Sequence, residues 1–184
     1  MHRFTTAISW LFGLLLIGLS LFVTLETFMR KVFGMSLQGA DELGGYVLAI
    51  SGAFAFTITL IERGHIRIDL VYSQTSPKTQ AVLSWFASLS LAIFGLFVAR
   101  YIWIVIRDTM AYGSTAPTAW STPLIYPQSV WYAAMLIFTI ASLVAFARAS
   151  MLLFGGRFDE LNTEFHPKTA QEELAEELSD MERR

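Results

Sequence analysis

The chain has 184 residues, of which 54 % are apolar, 15 % are charged and none is cysteine, and its formal net charge is −2. Soluble domains carry about a quarter charged residues. Here the charges are also confined: residues 4–25, 43–61, 79–99 and 109–147, together 101 positions, contain no Asp, Glu, Lys or Arg. That pattern excludes a soluble enzyme, a disordered chain and, for want of a basic footprint, a nucleic-acid binder. The lack of cysteine excludes disulfides, thiolate nucleophiles and cysteine-held metal centres.

A helix needs roughly 20 mostly apolar residues to cross a bilayer. The charge-free windows therefore predict an all-α membrane protein with four transmembrane helices, at about residues 6–32, 43–61, 79–106 and 126–147. Their apolar runs are too long and unbroken for outer-membrane strands, which alternate over about ten residues. The first window follows Met1-His2-Arg3. It is too long for the apolar core of a signal peptide and lacks a small-x-small cleavage site, so it reads as a retained span. Pro127 falls near the start of the fourth span, where a missing N–H costs little.

Lys and Arg counts set the expected orientation. Arg3, Arg63, Arg67, Lys78, Arg148, Arg157 and Lys168 fall on one side of the four spans, and Arg30, Lys31, Arg100 and Arg107 on the other. The excess predicts both termini in the cytoplasm. Loops 26–42 and 107–125 then face outward. The second carries Pro117, Pro123 and Pro127 with Tyr112, Trp120 and Tyr126 as interfacial anchors.

Residues 1–155 read as the membrane domain and 156–184 as an acidic cytoplasmic tail. From Arg157 to Arg184 the tail holds nine acidic and four basic residues. Thr169-Ala-Gln-Glu172 matches a capping box, and Leu174, Leu178 and Met181 recur at helical spacing. A short acidic amphipathic helix is predicted there, either as a solvated tail or docked on a partner.

Two functions for a four-span protein lose their residues. A haem-holding anchor of a redox enzyme needs histidines inside the bundle, whereas His2, His65 and His166 all lie outside the windows. An autonomous carrier needs an ionisable group within the membrane and commonly inverted repeats with broken helices; neither is evident. Glu26, Glu42 and Glu62 stand at span edges, where anchoring explains them most simply. No catalytic, metal or cofactor site is expected. Small residues recur at spacing four, at Gly45, Ala49, Ala53 and Thr57, at Ser84, Ser88 and Ala92, and at Ala141, Ala145 and Ala149. Such stripes let helices approach closely, within this bundle or against another.

The most informative stretch runs from Gly39 to Pro77. Asp41 and Glu42 open the second span, and Glu62-Arg63-Gly64-His65-Ile66-Arg67-Ile68-Asp69-Leu70 closes it. Arg63 and Arg67 share a helix face if the helix continues, and both suit lipid phosphates at the inner surface. Asp69 is placed to accept from Arg63 or His65. Anchoring and turn geometry, or contact with a partner subunit, are the two roles open to this string.

These residues resemble the small membrane subunit, the DctQ-like or Q component, of tripartite ATP-independent periplasmic (TRAP) transporters. An acidic residue opens the second span in that family, and an Arg-Gly-His-Ile-Arg-Val-Asp-like string follows it. Arg63, Gly64, His65, Ile66, Arg67 and Asp69 match, Ile68 replaces Val, and Ala40 stands where Trp is common. The resemblance covers roughly residues 5–155. It implies a scaffold in a bacterial or archaeal cytoplasmic membrane. Its partners would be a large ion-coupled membrane subunit, a periplasmic solute-binding protein and phospholipid. The solute would be organic, often a carboxylate, and sodium or another coupling ion would bind in the large subunit. Glu42, Arg63, Gly64, His65, Arg67 and Asp69 are then the motif and interface residues. Asp41, Trp120 and Tyr126 are candidates for docking the binding protein.

Overall fold

A computed structural model describes residues 2–36, 38–62, 75–165 and 178, with side chains from residue 9 onward. Among the described residues, five helices follow in order: α1 (His2–Phe33), α2 (Ala40–Ile61), α3 (Pro77–Tyr112), α4 (Ile125–Phe154) and α5 (Phe158–Phe165). The first four are long and apolar enough to cross a membrane. Lipid offers no partner to free backbone groups, so long helices are what such a sequence must form.

The helices run past the charge-free windows. The third span was placed at about 79–106, and the helix that holds it runs from Pro77 to Tyr112; the fourth was placed at about 126–147, and its helix runs from Ile125 to Phe154. The windows mark where a charge is costly, whereas the helix stops only where the backbone is told to stop. Gly34, Gly113 and Gly156, each just beyond a helix, have φ of +66°, +60° and +70°, the left-handed turn that ends helices. At α4 the pattern is complete: Gly156 N–H donates to Leu153 O at 3.1 Å and Arg157 N–H to Leu152 O at 3.0 Å.

The chain divides into two compact units, each discontinuous in sequence. The first comprises Met1–Ile58 with Phe97–Phe138. Its buried face includes Ala53 of α2, Ile102 and Ile106 of α3, and Ala134, Met135 and Phe138 of α4. Phe12 stacks on Phe54 at 5.2 Å, and Phe56 meets Phe138 at 5.7 Å between ring centroids. Helix α1 is otherwise largely uncovered: Trp10, Leu14, Ile17 and Leu21 are exposed. Its Thr24 and Thr27 hydroxyls donate to the carbonyls four residues back, at 2.7 and 2.8 Å. That satisfies them without a partner, as a lipid-facing hydroxyl requires.

The second unit comprises Thr59–Leu96 with Thr139–Arg184. Here α3 presents Ser84, Ser88 and Ala92, all buried, as their spacing predicts. Gly95 continues that face, and a Cβ there would lie 3.2 Å from the Thr139 Cα of α4. Thr139 Oγ1 donates to Gly95 O at 3.1 Å, the close contact that small residues permit. At the other end of the unit, Ala81, Leu152 and Leu161 form a buried cluster flanked by Leu153, Phe158 and Phe165. Trp85 donates its Nε1–H to Ser150 Oγ at 2.9 Å and packs against Phe146.

Helix α5 is a short acidic amphipathic helix, with Asp159 and Glu160 in its first turn and Leu161 buried. It lies upstream of the helix expected after Thr169, which falls outside the described residues except for Leu178. Asn162 Nδ2 donates to Pro77 O at 2.9 Å and Arg148 pairs with Glu164 at 3.1 Å. The beginning of the tail is thus packed against the start of α3 and the end of α4.

Candidate functional site

The first unit gathers its polar groups where α1 ends, α2 begins and the α3–α4 loop returns. The loop, residues 113–124, is short because α3 extends to Tyr112. It folds back as a hairpin with a bridge between Thr115 and Pro123. Ala116 N–H donates to Thr122 O at 2.9 Å and Leu124 N–H to Ser114 O at 3.1 Å. Pro123 lacks a donor and suits the outer edge of such a pair. At the tip, Ser121 has φ +47° and donates through both its N–H and its hydroxyl to Thr118 O.

Glu42 holds this tip. It lies in the first turn of α2, where a negative charge suits the helix dipole, yet only 6 % of the residue is exposed. Oε1 accepts from Tyr46 OH one turn along at 3.0 Å. Oε2 accepts a hydrogen bond from Thr118 Oγ1, 76 positions away in the chain. The Thr122 side chain adjoins the same carboxylate. A carboxylate offers acceptors only, and these hydroxyls supply the donors that its burial demands.

Gly39 makes the second fastening. Its carbonyl accepts the first α2 bond, from Leu43 N–H at 2.9 Å, and its φ is +82°. A Cβ there would sit 2.6–2.7 Å from three ring atoms of Trp120. Only glycine gives both the backbone angle and the room for the indole.

Glu26 anchors the α1–α2 turn in the same manner. It is 2 % exposed, and its Oε1 accepts from Arg30 Nη2 at 2.6 Å, Arg30 Nε at 3.2 Å and Ser36 Oγ at 2.6 Å. Ser36 Oγ also accepts from Gln38 N–H at 3.2 Å. The turn needs left-handed backbone at Gly34 and Gln38 as well as Gly39, and Glu26 ties it to the helix it leaves.

The residues singled out from sequence separate by environment. Glu42 is buried and engaged, whereas Asp41 is exposed, Trp120 is 48 % exposed and Tyr126 is 68 % exposed. Arg63, Gly64, His65, Arg67 and Asp69 lie outside the described residues. Sequence reasoning gave Glu26 an edge-anchoring role but missed its burial and its bond to Ser36. It gave Thr118 no role. Among the described residues, no group of three or more His, Cys, Asp or Glu gathers as metal ligands would.

Fold and site together define a small helical membrane protein whose buried carboxylates fasten its own loops. A family model for the DctQ component of tripartite ATP-independent periplasmic transporters matches residues 19–151. The chain belongs to that family, and so is a small membrane subunit of a TRAP transporter and a multi-pass membrane protein. The match takes in α2, α3, the second half of α1, most of α4, and every residue of the Glu26 and Glu42 clusters. No curated protein and no solved structure matches the chain.

Proposed function

We propose that this chain is a non-moving scaffold. It enlarges and steadies the large ion-coupled subunit of its transporter and helps dock the periplasmic solute-binding protein during uptake of an organic solute, a carboxylate in the simplest case. The observation that carries the reading is how little of each helix the chain covers by itself. Only 6 % of the most apolar stretch of α1 is buried, and no more than 28 % in α3 or α4. Apolar faces of that extent need lipid or a larger membrane protein against them. The exposed small residues Gly45 and Ala49 of α2, beside open space at Gly44, Gly45 and Gly52, favour a helix from another protein.

In this reading both termini are cytoplasmic in a bacterial or archaeal inner membrane, and the hairpin 113–124 faces the periplasm. Asp41, Trp120 and Tyr126 are its contacts for the binding protein, which their exposure favours. The Arg63–Asp69 string faces the inner surface, where phospholipid headgroups and the large subunit are its partners. The coupling ion binds in the large subunit.

The test is production of the large subunit with and without this chain. A scaffold predicts that without it the large subunit is recovered in lower yield and melts at lower temperature. Equal yield and equal melting temperature would overturn the proposal. For docking, Trp120→Ala that leaves binding of the periplasmic protein intact would count against the assigned surface.

A further inference from the structure

We infer that Glu42 and Gly39 are positioning residues for that docking surface: they hold the 113–124 hairpin in one shape, so that the periplasmic binding protein meets a preformed platform. This rests on the docking role proposed above and deepens it. Glu42 itself does not touch the partner, because it is buried with both oxygens engaged.

Two independent contacts fix the hairpin tip. The first is polar. Thr118, at the start of the tight turn, donates to the buried Glu42 carboxylate, which takes its other hydroxyl donors from Tyr46 and from Thr122 of the same hairpin. Any shift of the tip removes a donor from a buried acceptor, which is costly. The second is steric. The Trp120 ring occupies the space that a side chain at position 39 would fill. Trp120 therefore rests on the backbone that begins α2 while remaining half exposed. Within the turn, Ser121 closes on Thr118 through both its N–H and its hydroxyl, so the segment that carries the two fastenings is itself tied by hydrogen bonds. A platform held in this way spares a partner the cost of ordering the loop and its indole on contact. Glu26, through Ser36, holds the neighbouring turn in which Gly39 lies.

The experiment uses the purified complex of this chain with its large subunit. The binding protein that accompanies it is labelled with a fluorophore and titrated. Two quantities are read: the half-saturating concentration and the amount bound at saturation. Trp120→Ala raises the half-saturating concentration at least about fivefold, as loss of an aromatic anchor does. Glu42→Ala, Thr118→Val and Gly39→Ala raise it by about threefold to tenfold, the cost of ordering a loosened loop, with the saturating amount unchanged. Glu42→Gln keeps an oxygen for the Thr118 hydroxyl and raises it less. Thr118→Val removes only a hydroxyl, so the test survives if Glu42→Ala does not fold. If Trp120→Ala weakens binding while Glu42→Ala, Thr118→Val and Gly39→Ala do not, positioning is overturned and docking stands. If none of the four changes the half-saturating concentration, both are overturned. A fall in the saturating amount alone assigns these residues to folding and likewise overturns the inference.

Discussion

Replacing Gly95 with a larger side chain should force α3 and α4 apart in the second unit. A Cβ at this position would stand 3.1 Å from Ser142 Oγ, 3.2 Å from Thr139 Cα and 3.2 Å from Thr139 Oγ1. The two hydroxyls can rotate away, but the Cα belongs to the backbone of α4 and moves only with it. Gly95→Ala therefore demands a shift of a few tenths of an ångström. Its cost is offset in part by the helix preference of Ala over Gly, about 1 kcal/mol, and the net effect should stay within about 1 kcal/mol. Gly95→Leu adds three more carbons where no space exists. Overpacking of that kind costs about 1–3 kcal/mol. Separation also breaks the Thr139–Gly95 hydrogen bond, and interhelical bonds in membranes average about 0.6 kcal/mol. The expected loss is about 2–4 kcal/mol. The assay is reversible unfolding of the purified chain by sodium dodecyl sulfate in mixed micelles, followed by tryptophan fluorescence. Gly52→Leu is the control, since a Cβ there meets nothing within 4 Å. Gly95→Leu unfolding at the same detergent fraction as wild type would refute the close approach, as would an equal loss in Gly52→Leu.

Other consequences are as definite. Leu161→Ala empties a fully buried position in the Ala81–Leu152–Leu161 cluster and should cost about 2–5 kcal/mol, with faster amide exchange across Phe158–Phe165. Trp85→Phe keeps the ring contacts but strands Ser150 without its indole donor; a loss of about 1 kcal/mol in the same unfolding assay is expected. Glu164→Ala removes an exposed pair with Arg148, whose side chains are 38 % and 49 % exposed. It should change stability by no more than about 0.5 kcal/mol. Glu26→Ala should speed amide exchange selectively at Ser36, Gln38 and Gly39, in the turn that its carboxylate holds through Ser36; unchanged exchange there would show that Ser36 does not depend on it.

The four long helices were legible because lipid enforces one rule, the exclusion of charge, over about 20 residues at a time. Their ends were not, since Arg100, Arg107, Asp108 and Arg148 all lie within helices and only glycine geometry stops them. Small-residue spacing was a partial guide. Ser84, Ser88 and Ala92 share a buried face as expected. In α2 only Ala53 and Thr57 of the expected stripe are buried, while Gly45 and Ala49 are exposed. In α4 the buried face runs through Ala134, Phe138, Thr139 and Ser142, with Ala149 the sole buried member of its expected stripe. Spacing gives a face but not which neighbour it meets. The same holds at the Glu42 cluster. Glu42, Gly39 and Trp120 each carry a local signal, yet the bond from Thr118 joins residues 76 positions apart, and no local pattern encodes that pairing.

The most direct test of the scaffold role is gentle extraction of the C-terminally tagged chain from native membranes, followed by identification of what accompanies it. The account predicts a large multi-span protein in roughly equal amount, with the chain alone moving no solute in liposomes. A chain that emerges by itself and carries solute unaided would contradict the account, and would turn Glu26, Glu42 and Glu62 into candidates for the coupling site.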